Sequence, residues 1–330
     1  MTHWSYLGRP GKKRSHFLKC TLPYATLDQS IRSDLKAAPM KSKGGVILKA
    51  RVMACMMNVD PEHQMETCPG NQPLPNILPR EMQIGAFTMS PKLAPSDFFD
   101  LSHTPHAPLF RDIGYVWEAL PKLANYLEAH IGGKGCQIFG DVADGAYIKP
   151  DTDVYIGPGA VVESGAYIEG PAYIGPRTLV RHGAYIRSNA LLCEGSMVGH
   201  ATEVKNSILL PGAHAPHFNY VGDSILGNRV NLGAGTKLSN LTVVSRKDPL
   251  TGRRPSIKIK ILDRVHDTGL TKLGAILGDD VQTGCNSVLN PGVLIGPNTL
   301  LYASASLPKG YYPANTIIKL RQTFEYAERR

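Results

Sequence analysis

No stretch of the 330-residue chain approaches the roughly 20 uninterrupted apolar residues that a membrane-spanning helix requires, and the first residues carry no apolar core of the signal-peptide kind. That excludes a helical membrane protein; the expected setting is cytoplasmic, with no membrane partner. Paired cysteines are missing too. Cys20, Cys55, Cys68, Cys136, Cys193 and Cys285 lie far apart with no Cys-x-x-Cys among them, so they read as free thiols and not as a zinc or redox site. A Gly-rich phosphate loop is also lacking. "GGVILKA" (44–50) has no Gly-x-Gly followed by Arg and Pro, and the first 130 residues are too few for a nucleotide-binding α/β domain.

The net charge of +9 is unevenly placed. Residues 1–88 hold 12 Lys and Arg against 6 Asp and Glu, which accounts for +6 of it. The remaining 242 residues are almost neutral, so no nucleic-acid partner is expected for the folded body. Residues 1–90 show no sustained period and mix Pro, Gly, Met and charge, the pattern of a basic, disordered arm. "GGVILKARVMACMM" is its one candidate for a short strand or helix. No acid precedes Asp28, as in a mitochondrial presequence, but Pro and Gly at 9–11 argue against a continuous amphipathic helix. Met82 and Met89 are alternative natural starts.

Residues 91–135 form a flanking segment. In "YVWEALPKLANYLEAHI", Trp117, Leu120, Leu123 and Leu127 fall at helical spacing around a tolerated Pro121, which predicts one amphipathic helix. A different period then takes over. Counting by sixes from Ile156 gives Ile156, Val162, Ile168, Ile174, Val180, Ile186, Leu192, Val198, Val204 and Leu210, every one aliphatic. Two residues earlier sits a small side chain in most cases: Ala160, Ala166, Ala172, Thr178, Ala184, Ala190, Ser196 and Thr202, with Val154 and Ile208 as exceptions. Six matches neither the helical nor the strand period.

Six residues make one side of a triangular coil, and three sides bring the chain back about 4.8 Å along the axis, the spacing of neighbouring strands. The expected fold is therefore an all-β solenoid, a parallel β-helix of hexapeptide repeats over 136–312, with a 313–330 tail that is partly helical. The phase returns at Leu226, Leu232 and Leu238, and again at Leu277, Leu289, Ile295, Leu301 and Leu307, with Thr283 as a polar intruder. Two breaks interrupt it. Leu210 to Leu226 is not a multiple of six, so "PGAHAPHFNY" reads as an irregular loop. Between Leu238 and Leu277, "SIKIKIL" alternates with period two beside the turn cluster "DPLTGRRP", a hairpin insertion at 241–270.

Residues 18 apart stack on such a coil. Arg187 and Lys205 do so, a cationic pair suited to phosphate, although Glu203 stands close enough to neutralise one of them. His217 falls in the break beside Tyr220 and near Asn231 and Asn240; an imidazole is the default general base for an amine or hydroxyl nucleophile. His182 and His200 are also 18 apart, which raises a zinc site of the gamma-type carbonic anhydrase kind. His217, the third histidine, is 17 residues from His200 and out of register, so no metal is expected.

"RSNALLCEGSMVGHATEVKNS" (187–207), "PHFNYVGDSILGNRVNLGAGTKLSN" (216–240) and "GLTKLGAILGDDVQTGCNSVLNPGVLIG" (269–296) together resemble the acetyltransferase half of the bifunctional N-acetylglucosamine-1-phosphate uridylyltransferase/glucosamine-1-phosphate N-acetyltransferase family. The similarity covers about residues 136–310 and is nearest the sugar-phosphate nucleotidyltransferase-like branch with a hairpin insertion. The resemblance implies a homotrimer of left-handed β-helices that holds acetyl-CoA between neighbours. It implies acetyl transfer to an amino-sugar 1-phosphate, glucosamine- or galactosamine-1-phosphate, in nucleotide-sugar biosynthesis. In it, His217 is the base and Asn240 orients the reacting group. Arg187 and Lys205 hold the phosphate, Tyr220 and Asn231 contact the sugar, and Lys272 closes over the site from a neighbouring chain. Ala234, Cys285 and Ala303 match acetyl-CoA positions, with Cys285 where some members have serine. The uridylyltransferase half has no counterpart here, so no UDP-sugar synthesis is expected. A non-catalytic sugar-nucleotide-binding or scaffold β-helix is the alternative.

Overall fold

The computed structural model describes residues 93–329. The basic arm and its candidate start sites lie outside the described residues. From Cys136 onward, each short strand pairs in parallel with the strand one coil earlier, nine strands on each of two faces and eight on a third. Val154 pairs with Ala172 and Ala172 with Ala190, so a regular coil takes 18 residues. The sixth-residue aliphatics point inward and join one continuous core, from Val154 and Ile156 to Leu307. Small residues beside them, such as Ala160, Ala184 and Ser196, are buried where a larger side chain would collide with the turn.

The first face runs through Ala172–Ile174, Ala190–Leu192, Ser207–Leu209, Ile225–Leu226 and Ala275–Leu277. The second carries Met197–His200, His214–His217 and Asn231–Leu232, and the third Tyr185–Ile186, Glu203–Lys205, Tyr220–Gly222 and Lys237–Leu238. On the first face the outward positions are apolar as well: Leu191, Ile208, Ile225, Ile276 and Leu294. They are covered by Phe98, Trp117, Leu120, Leu123 and Leu127 from the flanking segment. Its helix α1, Ala119–Ile131, buries one stripe and keeps Pro121 in the first turn, where a missing N–H costs nothing. Buried Asp279 fastens the flank, accepting hydrogen bonds from the backbone N–H of Asp100 and of Asn228, both within 2.8 Å.

Two expectations need correction. Residues 211–220 are not an irregular loop. His214–His217 is a full strand of the second face, with His200 opposite His217. The two missing residues flank this strand: Ala190 pairs with Ser207 and Ile208 with Ile225, 17 apart, because the corners between third and first faces at 205–207 and 222–224 take a five-residue step. Leu209 is therefore the inward residue and Leu210 packs outward under the flank. Ser207, two before Leu209, then falls in the small-residue position and removes the Ile208 exception. The second correction concerns the tail, in which 313–329 contains no helix. Ile317–Ile318 extends the second face beside Leu300–Leu301, and Phe324 and Tyr326 beyond it are exposed, with no apolar surface to order them.

The chain leaves the coil at Asn240 and returns at Leu273, whose N–H donates to the Asn240 carbonyl. Between them, Lys258–Ile261 pairs antiparallel with Arg264–Asp267. Ile257, Ile259 and Ile261 join the packing on the first face, while Lys258 and Lys260 face solvent.

His106 is buried between the flank and the first face, its Nδ1 within 2.9 Å of the Tyr126 hydroxyl and its ring against Tyr173. Burial, helped by neighbouring His130, pushes its pKa down to about 4. The folded chain keeps this ring neutral, while the unfolded chain protonates it near 6.5. Stability is thus complete above that value and falls by roughly 3 kcal/mol as the pH drops to about 4. Urea unfolding of His106→Gln across this window is expected to show a flatter dependence; an unchanged slope would assign the acid sensitivity elsewhere.

Candidate active site

The two five-residue corners are where polar chemistry gathers. Asn206 and Asp223 occupy successive coils of the same corner, both left-handed with φ of 46° and 47°, a conformation that Asn and Asp tolerate better than most residues. Asp223 accepts from Asn206 Nδ2 at 2.8 Å through one oxygen and from Asn240 Nδ2 at 2.5 Å through the other. Three coils are thereby tied together at one corner.

Just before this corner, Lys205 is opposite Gly222 in the ladder, so no side chain stands above it. A Cβ at Gly222 would come within 2.7 Å of Tyr220 Oη and 2.8 Å of Asn240 Nδ2, so these two polar groups close over the backbone in a space that only glycine leaves for them. Burial, with the charges of Glu203 and Asp223, holds the Tyr220 hydroxyl above the ordinary tyrosine value. Arg187, one coil below Lys205, donates to Glu203 at 2.8 Å. Its charge is therefore taken, and Lys205, which joins no ion pair among the described residues, is the available cation.

Beside the Asn206 and Asp223 corner lies a cavity of about 350 Å³. Asn206, Asp223, Thr271 and Lys272 line it with polar groups, and Leu120, Pro121, Ala124 and Leu270 with apolar ones. Lys272 precedes the residue that closes the neck of the insertion on Asn240, so it reaches this site from its own chain. The expected approach from a neighbouring chain is not required to bring it there.

A second group lies on the corner between second and third faces. The N–H of Phe218 donates to the His200 carbonyl, Gly235 to His217, Asn286 to Ala234, and Ser304 to Cys285, each at 2.8–2.9 Å. His217, Ala234, Cys285 and Ala303 therefore stand in one column on four successive coils, roughly 14 Å in all. His217 is exposed, and its ring makes no hydrogen bond to any described residue. Small side chains above it leave a shallow strip along the coil axis. His182 and His200 do stack, with ring centroids 5.6 Å apart, but each turns Nδ1 to a backbone carbonyl one coil below. The third ring against His200 is Phe218 and not His217. Asn231 sits on the second face between His214 and Gln282.

The predicted residues thus fall into two sets within one chain. Arg187, Lys205, Asn240 and Lys272 gather near the far edge of the third face, which the Tyr220 hydroxyl reaches from the start of its strand. His217, Asn231, Ala234, Cys285 and Ala303 belong to the second face or its corner. Sequence reasoning missed Asn206, Gly222 and Asp223. Their signal was present as "NSIL" at 206–209 and "DSIL" at 223–226, a repeat offset by 17 that marks the short corners.

Fold and site define a parallel β-helix protein whose polar groups concentrate on two corners. Residues 168–251 match the family model described as the GMPPB C-terminal domain. The chain is 37 % identical over 99 residues to the bifunctional sugar-1-phosphate nucleotidylyltransferase/acetyltransferase of Sulfurisphaera tokodaii, covering 30 % of this chain and 22 % of that protein. It is 35 % identical over 115 residues to the bifunctional protein GlmU of Methanocaldococcus jannaschii, covering 35 % of this chain and 26 % of that protein. The resemblance read from residues 187–296 is upheld by these matches, which span about a quarter of each relative's length. Among solved structures, a Francisella novicida UDP-N-acetylglucosamine acyltransferase aligns with a TM-score of 0.32 at 12 % identity, over 53 % of this chain and 61 % of its own. No helix of the described residues is long and apolar enough to cross a membrane.

Gly222→Ala tests this close approach directly. The added methyl is expected to turn the Tyr220 ring out into solvent and bring its hydroxyl back down toward the ordinary tyrosine value in a ¹³Cζ titration. An unchanged titration would show that the contact has slack for a methyl group.

Proposed function

We propose that this protein transfers an acetyl group from acetyl-CoA to the amine of an amino-sugar 1-phosphate, as a homotrimer of left-handed β-helices. The observation that carries the reading is the separation of the two residue sets. Corner 217 and corner 223 bound one side of the coil, on the order of 15 Å of extended chain, more than a hexose phosphate spans. One ligand would meet both whole sets where the His217 corner of one protomer faces the third face of its neighbour. A trimer supplies that meeting three times over by symmetry.

In this arrangement each residue has a defined task. Acetyl-CoA supplies an activated acetyl thioester. The column of Ala234, Cys285 and Ala303 fits a thin, elongated co-substrate, since none of the three projects a bulky side chain. Lys205 and Lys272 bind the phosphate, Tyr220 and Asn231 contact the sugar, and Asn240 orients the amine. His217 accepts the proton that the amine loses as its nitrogen bonds to the acetyl carbon; the thioester C–S bond then breaks and the CoA thiolate leaves as the thiol, taking up that proton. Arg187 contributes through Glu203, fixing that carboxylate beside Tyr220 and leaving Lys205 free. This commitment of Arg187 also favours a second reading, a non-catalytic sugar-nucleotide binder, which acetyl-CoA binding without thiol release on any amino-sugar phosphate would establish.

His217→Ala is expected to lower thiol release with acetyl-CoA and glucosamine-1-phosphate by about 10²- to 10⁴-fold, with a much smaller effect on acetyl-CoA affinity. Lys205→Ala is expected to lose phosphate binding. Refolding the two inactive variants together at equal amounts should restore roughly a quarter of the sites, the random share when each site draws one set from each of two protomers. No recovery would return both sets to a single chain and overturn the shared site.

A further inference from the structure

Asp223 is a carboxylate with an unbalanced charge. It is 6 % exposed, and its two side-chain hydrogen bonds come from the neutral amides of Asn206 and Asn240. None of the ion pairs among the described residues includes it. Neutral donors orient a carboxylate but do not cancel its charge, and a buried charge without a counter-charge is costly. Asp223 also lines the cavity beneath helix α1, where each of its oxygens keeps a lone pair beyond the amide it accepts from. Lys272 lines the same cavity without pairing with Asp223. The cavity therefore presents one anchored negative group and, at its exposed rim, one positive group to whatever enters it. Leu120, Pro121, Ala124 and Leu270 give it an apolar wall suited to the C–H face of a sugar ring.

We infer that Asp223 selects the amino group of the acceptor, binding its ammonium form as the missing counter-charge, so that this cavity discriminates zwitterionic amino-sugar phosphates from the corresponding hydroxy sugars. The identity of the acceptor rests on the acetyl-transfer reading; the need of Asp223 for a cation does not. A hydroxyl in place of the ammonium would leave the carboxylate as it is in the empty cavity, whereas an ammonium gains a charge-assisted hydrogen bond to a carboxylate that is itself almost wholly buried. The amine on C2 and the phosphate on C1 are neighbours on the sugar ring, so a ligand with its ammonium on Asp223 brings its phosphate toward Lys272 of the same cavity and both charges are met at once. Asp223 acts here in recognition. Proton removal stays with His217: the bound ammonium loses one proton through this exposed imidazole to solvent before it attacks and a second as the N–C bond forms, which ends on the departing CoA thiolate.

Calorimetric titration of the full chain with glucosamine-1-phosphate and with glucose-1-phosphate tests this without turnover. The wild-type chain is expected to prefer the amino sugar by at least about ten-fold. Asp223→Asn should abolish that preference by weakening only the amino sugar, with glucose-1-phosphate unchanged. Asn206→Ala, which removes a neutral hydrogen bond but keeps the charge, should retain the preference. Equal wild-type affinity for the two sugars overturns the assignment and leaves acetyl transfer standing. An equal loss of both in Asp223→Asn, or loss of the preference in Asn206→Ala, does the same. Binding of neither sugar overturns the acceptor reading and this assignment with it.

Discussion

The parallel ladder is the constraint on which the rest of the molecule depends. Each coil must lie one strand spacing above the last, with its N–H groups donating to the carbonyls below, and each side can send only one side chain into the core. Residue type is thereby fixed at one position in six and nearly free at the others. Side chains on outward positions and corners are held in straight columns by backbone bonds they do not take part in. Chemistry can be written onto such a column cheaply, because moving one coil along the axis moves every group by the same small step. His217, Ala234, Cys285 and Ala303 form one column of this kind, and Asn206 and Asp223 belong to another.

What distinguishes this solenoid is the treatment of its faces. The first face carries apolar residues on both sides and is closed by the flanking helix and by the hairpin insertion. The second and third faces keep polar or partly exposed outer positions, and both candidate residue sets lie there. The insertion does more than cover a face. Its neck closes on Asn240, so the return strand delivers Leu270 and Lys272 to a cavity that a plain coil would not possess. Two five-residue corners sit beneath that neck, and each tightening leaves an Asn or an Asp in a left-handed turn with its side chain directed at neighbouring coils.

Much of this was legible in the sequence. The hexad gave the inward column, the small residue two places earlier gave the corners, and "SIKIKIL" showed its period-two face as Ile257, Ile259 and Ile261. Where the reading slipped, it did so for a physical reason. Leu209 and Leu210 are both leucine, and at a five-residue step the first points inward while the second packs under the flank. A count by sixes accepts either one. That slip moved the irregularity onto 211–220 and hid the corners at 206 and 223, where Asp223 and Gly222 lie. Stacking at 18 correctly brought Arg187 beneath Lys205, but only the side-chain geometry showed Arg187 turned to Glu203.

The sequence alone therefore determined the architecture, because a six-residue apolar period has one structural solution and repeats often enough to be unmistakable. It also determined which residue types were available for chemistry. The tertiary structure decided which of them meet. Register is set by corner length, and one residue fewer at a corner carries every later group to a different neighbour. The division of the candidate residues between two faces, the charge left unbalanced on Asp223, and the cavity between helix α1 and the insertion all depend on contacts between segments distant in the chain. No periodicity within any one of those segments encodes them.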